Sequence, residues 1–449
     1  MRRIVTNLRR EAGFEHFSAA EDGVEASRKS PHPFATWLRA FFLAVTFAHG
    51  VQAAPLAANT PHALTLEALI ALAIHSHPSV AAARAQYVGA QADISAARFQ
   101  YYPSPSVQVL QDKGATSTVL TLQQPLWAGG RLDASLDAAK SQGNAAQVAI
   151  RGAQDAIALQ VTAAWAAWVQ ARGRANVQLQ AVNLLKGYTE SVSRRIEGGA
   201  SGQVDQQLVV ARLAQAHTDF DAANSAQRSA LARLAQLAGQ TISTQDLVDP
   251  FTADSADVSL PPLDALISQA MVHSAALQLE ANIETSQHEI QQKRAALWPT
   301  VNLRAQHQRA DSGASGTNSS DSRLVLALEY TPGAGLSAGS NIDAAHARSQ
   351  ALREELQAAQ RELAQTITAD YEDFVVSRER KQSMQSMIDA SAEVLASYER
   401  LFIAGRRNWL EVINAARELI QARAALVDAH AQHMAARARL LLNSGANVL

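Results

Sequence analysis

Cysteine is absent from this chain of 449 residues. That excludes disulfides, thiolate metal sites, cysteine nucleophiles and an acylated N-terminal cysteine as membrane anchor. Aromatic residues are scarce, at 5%, and much of the 47% hydrophobic content is alanine. Alanine is the strongest helix former but buries little area. The composition therefore favours long thin helices packed side by side over one thick core. Neither sign of charge is in excess: the net charge is −2. The charges are interspersed, as on solvated helix faces, and nothing points to nucleic acid. No segment reaches the ~18 consecutive apolar residues of a membrane-spanning helix. A chain of this kind enters a bilayer only through strands. Glycine-rich phosphate loops and serine-elbow motifs are missing too, so catalysis is not expected.

What the chain does have is a duplication. Leu66-Glu67-Ala68-Leu69-Ile70 returns 197 positions later as Leu263-Asp264-Ala265-Leu266-Ile267. Pro103 after Tyr101-Tyr102 returns 196 positions later as Pro299 after Leu297-Trp298. Gly199 with Asp205 six residues on returns 206 positions later as Gly405 with Glu411 six residues on. The repeat is too long for a solenoid, whose units run about 20 to 50 residues. It implies two similar halves, residues 55–262 and 263–449. Residues 1–54 read as an N-terminal extension and signal peptide. Arg28, Lys29 and Arg39 precede the apolar run Ala40 to Ala48, and small residues follow. Cutting is expected after Ala53 or Ala54.

Within the first half, Leu64 to Gln100 reads as helix, N-capped by Thr65 and broken near His77 by Pro78. Residues 104–125 read as a β-hairpin: Val107, Val109, Val119, Leu120 and Leu122 favour strands, and Asp112-Lys113-Gly114 is a turn. Residues 129–238 read as a helical hairpin. Val182, Leu185, Thr189, Val192 and Ile196 form a coiled-coil-like seam. Gly198-Gly199 break it by reaching left-handed geometry. Residues 249–262 read as a linker. The second half repeats the order: one helix from Leu263 to Leu297, a hairpin over 300–331, and a helical hairpin over 341–442 turning at Gly405. Its seam is Met384, Ile388, Ser391, Leu395, Tyr398 and Phe402.

The strand from Thr300 alternates Val301, Leu303 and Ala305 with Asn302, Arg304 and Gln306. That pattern suits lipid on one side and water on the other. Four strands cannot close a barrel, and open edges do not persist in lipid. Closure requires several copies of the chain. The competing reading is a soluble periplasmic coiled-coil scaffold or adaptor with small β decorations.

Gln123-Gln124-Pro125-Leu126-Trp127-Ala128-Gly129-Gly130-Arg131 resembles the strand-to-helix junction of the TolC-like outer-membrane efflux proteins. So does Phe402-Ile403-Ala404-Gly405 followed by Leu410-Glu411-Val412-Ile413-Asn414-Ala415. The resemblance runs through both halves in order. It implies a mainly α fold with a small β part: a homotrimer in which a twelve-stranded outer-membrane β-barrel continues into a periplasmic helical barrel. It implies a passive exit duct for efflux or type I secretion. The partners it implies are a periplasmic adaptor and an inner-membrane transporter, with no cofactor.

The same resemblance places a periplasmic gate where the glycine-turned hairpins meet. Glu411 falls at an acidic ring lining the entrance. Arg407 and Asp205 fall where neighbouring helix pairs are tied shut. Phe402 stands where some relatives have a tyrosine, and Asn414 where some have a second acid. Gly198, Gly199 and Gly405 are turn residues under any reading. Arg406 and Trp409 are candidates for the adaptor surface. Trp127 and Trp298, with Tyr101, Tyr102 and Tyr330 nearby, are candidates for an interfacial belt. His75 and His77, and His430 and His433, are close pairs that lack the third ligand a zinc site needs.

Overall fold

The computed structural model describes residues 64–112, 115–248, 251, 260–312, 318–331 and 337–445. The leader and most of the 249–262 linker lie outside them. Two helix-hairpin-helix halves follow one another. The first comprises α1 (Leu66–Ser76), α2 (Pro78–Phe99), β1 (Ser104–Asp112), β2 (Ala115–Trp127), α3 (Arg131–Glu197) and α4 (Gln203–Ala238). The second comprises α5 (Leu263–Ala270), α6 (Ser274–Ala295), β3 (Thr300–Ser312), β4 (Asn318–Glu329), α7 (Ala338–Ile403) and α8 (Trp409–Asn443). Corresponding helices have nearly equal lengths: 67 and 66 residues for α3 and α7, 36 and 35 for α4 and α8. At ~1.5 Å per residue, α3 and α7 each run about 100 Å.

Thr65 caps α1 by accepting the Ala68 N–H. Proline at N1 of α2 sets the break, and α1 and α2 meet at 49°. The second half corrects the expectation of one helix over 263–297. It breaks at Met271-Val272-His273 without any proline. The reason is a shared cap. His77 Nδ1 accepts the Ser79 N–H, and His273 Nδ1 accepts the Ala275 N–H, 196 positions on. A side-chain acceptor at the N-cap satisfies an amide the helix leaves orphaned, so histidine starts each second helix.

No single described helix is long and apolar enough to cross a membrane. The bent α1–α2 pair passes by composition alone, yet Leu69, Ile70, Ala73 and Val80 are buried against Trp168, Val169 and Leu234. A second cluster lies where α3 and α4 turn beside α7 and α8. Val192, Val209, Leu395, Phe402, Trp409, Val412 and Ile413 are its centre. At the end of α8 that packs on the first cluster, Arg439 donates to Asp370 and Asp373, which binds α8 to α7.

The four strands form one antiparallel sheet in the order β1-β2-β3-β4. Val107 pairs with Leu120, Leu122 with Ala305, Leu303 with Leu326, and Val301 with Leu328. Paired residues share a face. One face therefore carries Val107, Val109, Leu120, Leu122, Val301, Leu303, Ala305, Leu324, Leu326 and Leu328. The other carries Ser106, Gln108, Thr121, Gln123, Asn302, Arg304, Gln306 and Arg323. On it Arg304 donates to Glu329 at 2.6 Å and to Gln123 at 3.3 Å. The apolar face is left uncovered: Val107, Val109, Leu324, Leu326 and Leu328 are all more than 60% exposed. β2 runs past Pro125 through an irregular register to Trp127, two residues beyond the expected end. Tyr330 lies just after β4.

Candidate functional site at the helix tips

The two tips are built by one motif used twice. Gly199 N–H donates to Ile196 O, and Ala200 N–H to Arg195 O. Gly405 N–H donates to Phe402 O, and Arg406 N–H to Leu401 O, each 206 positions on. These are paired Schellman caps, which need a left-handed residue. Gly199 at φ 68° and Gly405 at φ 73° supply it. Gly198 does not: at φ −81° it is an ordinary right-handed residue. The left-handed role assigned to both glycines belongs to Gly199 alone.

The return helices differ. α4 starts from Gly202, which has no side chain to cap with, and Asp205 at N3 stays without a cation partner among the described residues. α8 starts from Asn408, whose Oδ1 accepts the Glu411 N–H at 3.0 Å while Glu411 accepts the Asn408 N–H at 3.2 Å. This is a reciprocal capping box. Arg407 donates to the same carboxylate, and its guanidinium lies 4.5 Å from the Tyr398 ring centre. Glu411 is thus engaged within its own turn. The Asn408 backbone N–H and then Arg407 hold its carboxyl below the usual range.

A lowered folded pKa adds stability that is fully present above the ordinary carboxylate value of ~4.3 and is lost as pH falls through the lowered value. Hydrogen exchange in the first turn of α8, corrected for intrinsic rates, is expected to accelerate as pH drops through that window. Glu411→Gln is expected to remove the step. An unchanged step in that variant would assign it to another group.

Within one chain the structure does not bring Asp205 to Arg407 by any ion pair among the described residues. It brings the two hairpins together elsewhere. The Tyr188 hydroxyl, on α3, donates to Glu399 on α7. Burial first, and then Glu399, push the Tyr188 phenol well above its ordinary value. The Tyr188 ring meets Trp409 edge-on at 5.0 Å. Arg195 of α3 lies 4.3 Å over Phe402 of α7, and Phe402 packs on Trp409. Phe402 is therefore a buried plug of the tip core, and Asn414 is half-buried on α8. Trp409 is 3% exposed; it packs inward and leaves the outward surface to Arg406.

Sequence reasoning missed Tyr188, Glu399 and Arg195, and read Tyr398 only as a seam residue. Tyr188 and Glu399 are 211 residues apart, and no local pattern marks such a pair. The Asn408–Glu411 box was visible as an N-cap residue with an acid three on. Three of the four singled-out histidines pack or cap: His77 caps α2, His433 stacks on Phe374 at 4.7 Å, and His430 lies against Phe251 at 5.0 Å.

The profile of the outer membrane efflux proteins matches residues 69–240 and again 266–446. The chain belongs to the outer membrane efflux protein family. It is 23% identical over 371 residues to the cobalt-zinc-cadmium resistance protein CzcC of Cupriavidus metallidurans, covering 80% of this chain and 85% of that one. Solved structures share the fold. A membrane protein of Pseudomonas aeruginosa superposes with a TM-score of 0.73 at 19% identity, covering 84% of this chain and 90% of that one. The open-state MtrE channel of Neisseria gonorrhoeae gives 0.71 at 17%, covering 85% and 88%. CusC gives 0.72 at 17%, covering 85% and 92%. As an outer membrane efflux protein, the chain resides in the outer membrane and extends into the periplasm. The strand ends that join helices are Ser104, Trp127, Thr300 and Glu329.

Proposed function

We propose that this efflux protein is the passive exit duct of a homotrimer, fed by a periplasmic adaptor and an energised inner-membrane transporter. The observation that carries the reading is the sheet. It has one exposed apolar face, one polar face, and two outer strands, β1 and β4, unpaired on their far sides among the described residues. Lipid tolerates the apolar face but not the open edges. Pairing β4 of one copy with β1 of the next removes every edge, and three copies give twelve strands. The Arg304–Glu329 pair and Arg323 then line a wet lumen. The chain carries no catalytic constellation in this reading; it supplies a path.

The gate lies at the tips. Tyr188–Glu399 and Arg195–Phe402 hold the α3–α4 hairpin to the α7–α8 hairpin within each copy. Asp205 of one copy and Arg407 of the next tie copies together in this reading, in exchange for the Arg407–Glu411 contact. Three Glu411 carboxylates then surround the axis, where like charges attract cations. Such bonds are strong enough to hold a closed state and weak enough near water to break.

Conductance in a planar bilayer tests this. Tyr188→Phe removes the bond to Glu399 while keeping the ring against Trp409, and is expected to raise single-channel conductance. Asp205→Asn with Arg407→Gln is expected to raise it further. Wild-type conductance in both would take these residues out of the gate.

A further inference from the structure

The two rims of the sheet's lipid-facing side carry different chemistry. At the periplasmic rim aromatic residues gather and stay exposed: Phe99, Tyr102, Trp127, Trp298 and Tyr330. Trp127 and Trp298 meet edge-on at 6.4 Å. Trp and Tyr, each a ring with one polar end, favour the membrane–water boundary, so the level of Tyr102, Trp127, Trp298 and Tyr330 marks the inner edge of the hydrocarbon. The four strands hold no other aromatic residue. The outer rim is therefore not anchored by rings.

On the same outward face β3 continues from Ala305 to His307 and Arg309. Their neighbours across the sheet are Leu120, Thr118, Ser322 and Ser320. His307 Nδ1 lies 2.8 Å from Ser322 Oγ. The Arg309 side chain has no hydrogen bond or ion pair among the described residues, and it is exposed. From Val301 to Arg309 the strand rises about 26 Å along its axis at ~3.3 Å per residue. At a tilt of ~40° that is about 20 Å along the normal, close to the ~25 Å apolar band of such barrels. Arg309 thus stands at the outer edge of the hydrocarbon. β3 is flanked by β2 and β4 of its own chain, so a neighbouring copy does not cover this patch.

We propose that Arg309, supported by His307 and the surrounding hydroxyls, binds the phosphate groups of outer-leaflet glycolipid. The inference rests on the barrel reading above. A guanidinium offers a phosphate two parallel donors in a fixed plane. The acyl chains of the same lipid lie along Leu120, Leu122 and Leu324 below it. The outer rim is then held by lipid charge, and the inner rim by aromatic rings.

The test uses the full-length trimer in detergent, titrated with a bisphosphorylated diglucosamine lipid and read by native mass spectrometry as lipid retained per trimer. Wild type is expected to retain it. Arg309→Gln is expected to bind about tenfold more weakly. Arg309→Lys should recover part of the loss, and Arg323→Gln, on the lumen face, should match wild type. The same lipid stripped of phosphate should bind like the Arg309→Gln case, and inorganic phosphate at equal concentration should not displace the lipid. Wild-type retention by Arg309→Gln, equal retention of the dephosphorylated lipid, or displacement by inorganic phosphate would each overturn the assignment. A wild-type chain that never forms a membrane-inserted oligomer would overturn the barrel reading itself, a result visible before any lipid is added.

Discussion

Leu122→Arg is expected to abolish assembly of the protein in the outer membrane, while Thr121→Arg next to it is expected to be tolerated. The two positions are adjacent, so their side chains point to opposite faces of the sheet. Leu122 pairs with Ala305 on the apolar face, and Thr121 with Gln306 on the polar one. By the strand rise, this level is close to the middle of the hydrocarbon. An arginine facing lipid there costs ~2–4 kcal/mol in a transmembrane barrel. Three copies would raise that to about 6–12 kcal/mol per trimer, as large as the ~5–15 kcal/mol that holds a typical domain folded. Facing the lumen, the same charge stays hydrated. The check is the amount of heat-resistant oligomer recovered in the outer-membrane fraction. Equal recovery of both variants would mean that the faces are not lipid and water.

The second large effect is expected at the strand-to-helix junction. Gly129 adopts φ 60°, and a Cβ added there would lie 2.6 Å from the Trp298 Cβ and 3.3 Å from the Ala295 carbonyl oxygen. Gly130 adopts φ 81° but faces open space. Left-handed geometry costs a non-glycine residue ~1–2 kcal/mol. Forcing apart the close contact with the Trp298 Cβ, with the Ala295 carbonyl behind it, adds ~1–3 kcal/mol. Gly129→Ala is therefore expected to destabilise by about 2–5 kcal/mol, and Gly130→Ala by only ~1–2 kcal/mol. The midpoint of thermal unfolding in detergent reads both. A Gly130→Ala loss equal to that of Gly129→Ala would show that backbone strain alone matters, and that the close approach to Trp298 does not.

The fold was largely legible because the physics that sets it is local. Alanine-rich stretches without proline became α3 and α7. The strict alternation of Val301, Leu303 and Ala305 became the apolar face of a strand. Where a local rule was missed, the structure departed. The helix over 263–297 broke because His273 caps a new helix, and a histidine cap is a weaker sequence signal than proline. Gly198 and Gly199 looked equivalent, but a Schellman cap uses only one left-handed residue. The ten-residue drift of the repeat, from 196 to 206, falls in the second β-hairpin and its return to α7.

The proposed gate was less legible. Asp205, Arg407 and Glu411 were placed at the tip by resemblance, yet their charges alone do not say which partner each takes. In one chain Arg407 and Glu411 spend their charge on each other and on the α8 cap. The contacts that hold one hairpin to the other, Tyr188 with Glu399 and Arg195 with Phe402, join residues about two hundred positions apart. The seams that bring them together were readable. The pairing itself was not.

The proposed trimeric barrel requires β1 of one copy to pair with β4 of the next. The absence of native cysteine makes this directly measurable. A cysteine replacing Gln108 in β1 is combined, one variant at a time, with a cysteine at each position from Ser319 to Leu328 in β4. In one chain these strands are three strand spacings apart, about 14 Å at ~4.8 Å each, and a disulfide requires a Cα separation under ~7 Å. Oxidation in the outer membrane is expected to give covalent dimers and trimers at the positions that face Gln108, and no intrachain bond. Monomers alone at every position, or a disulfide closing within single chains, would contradict it.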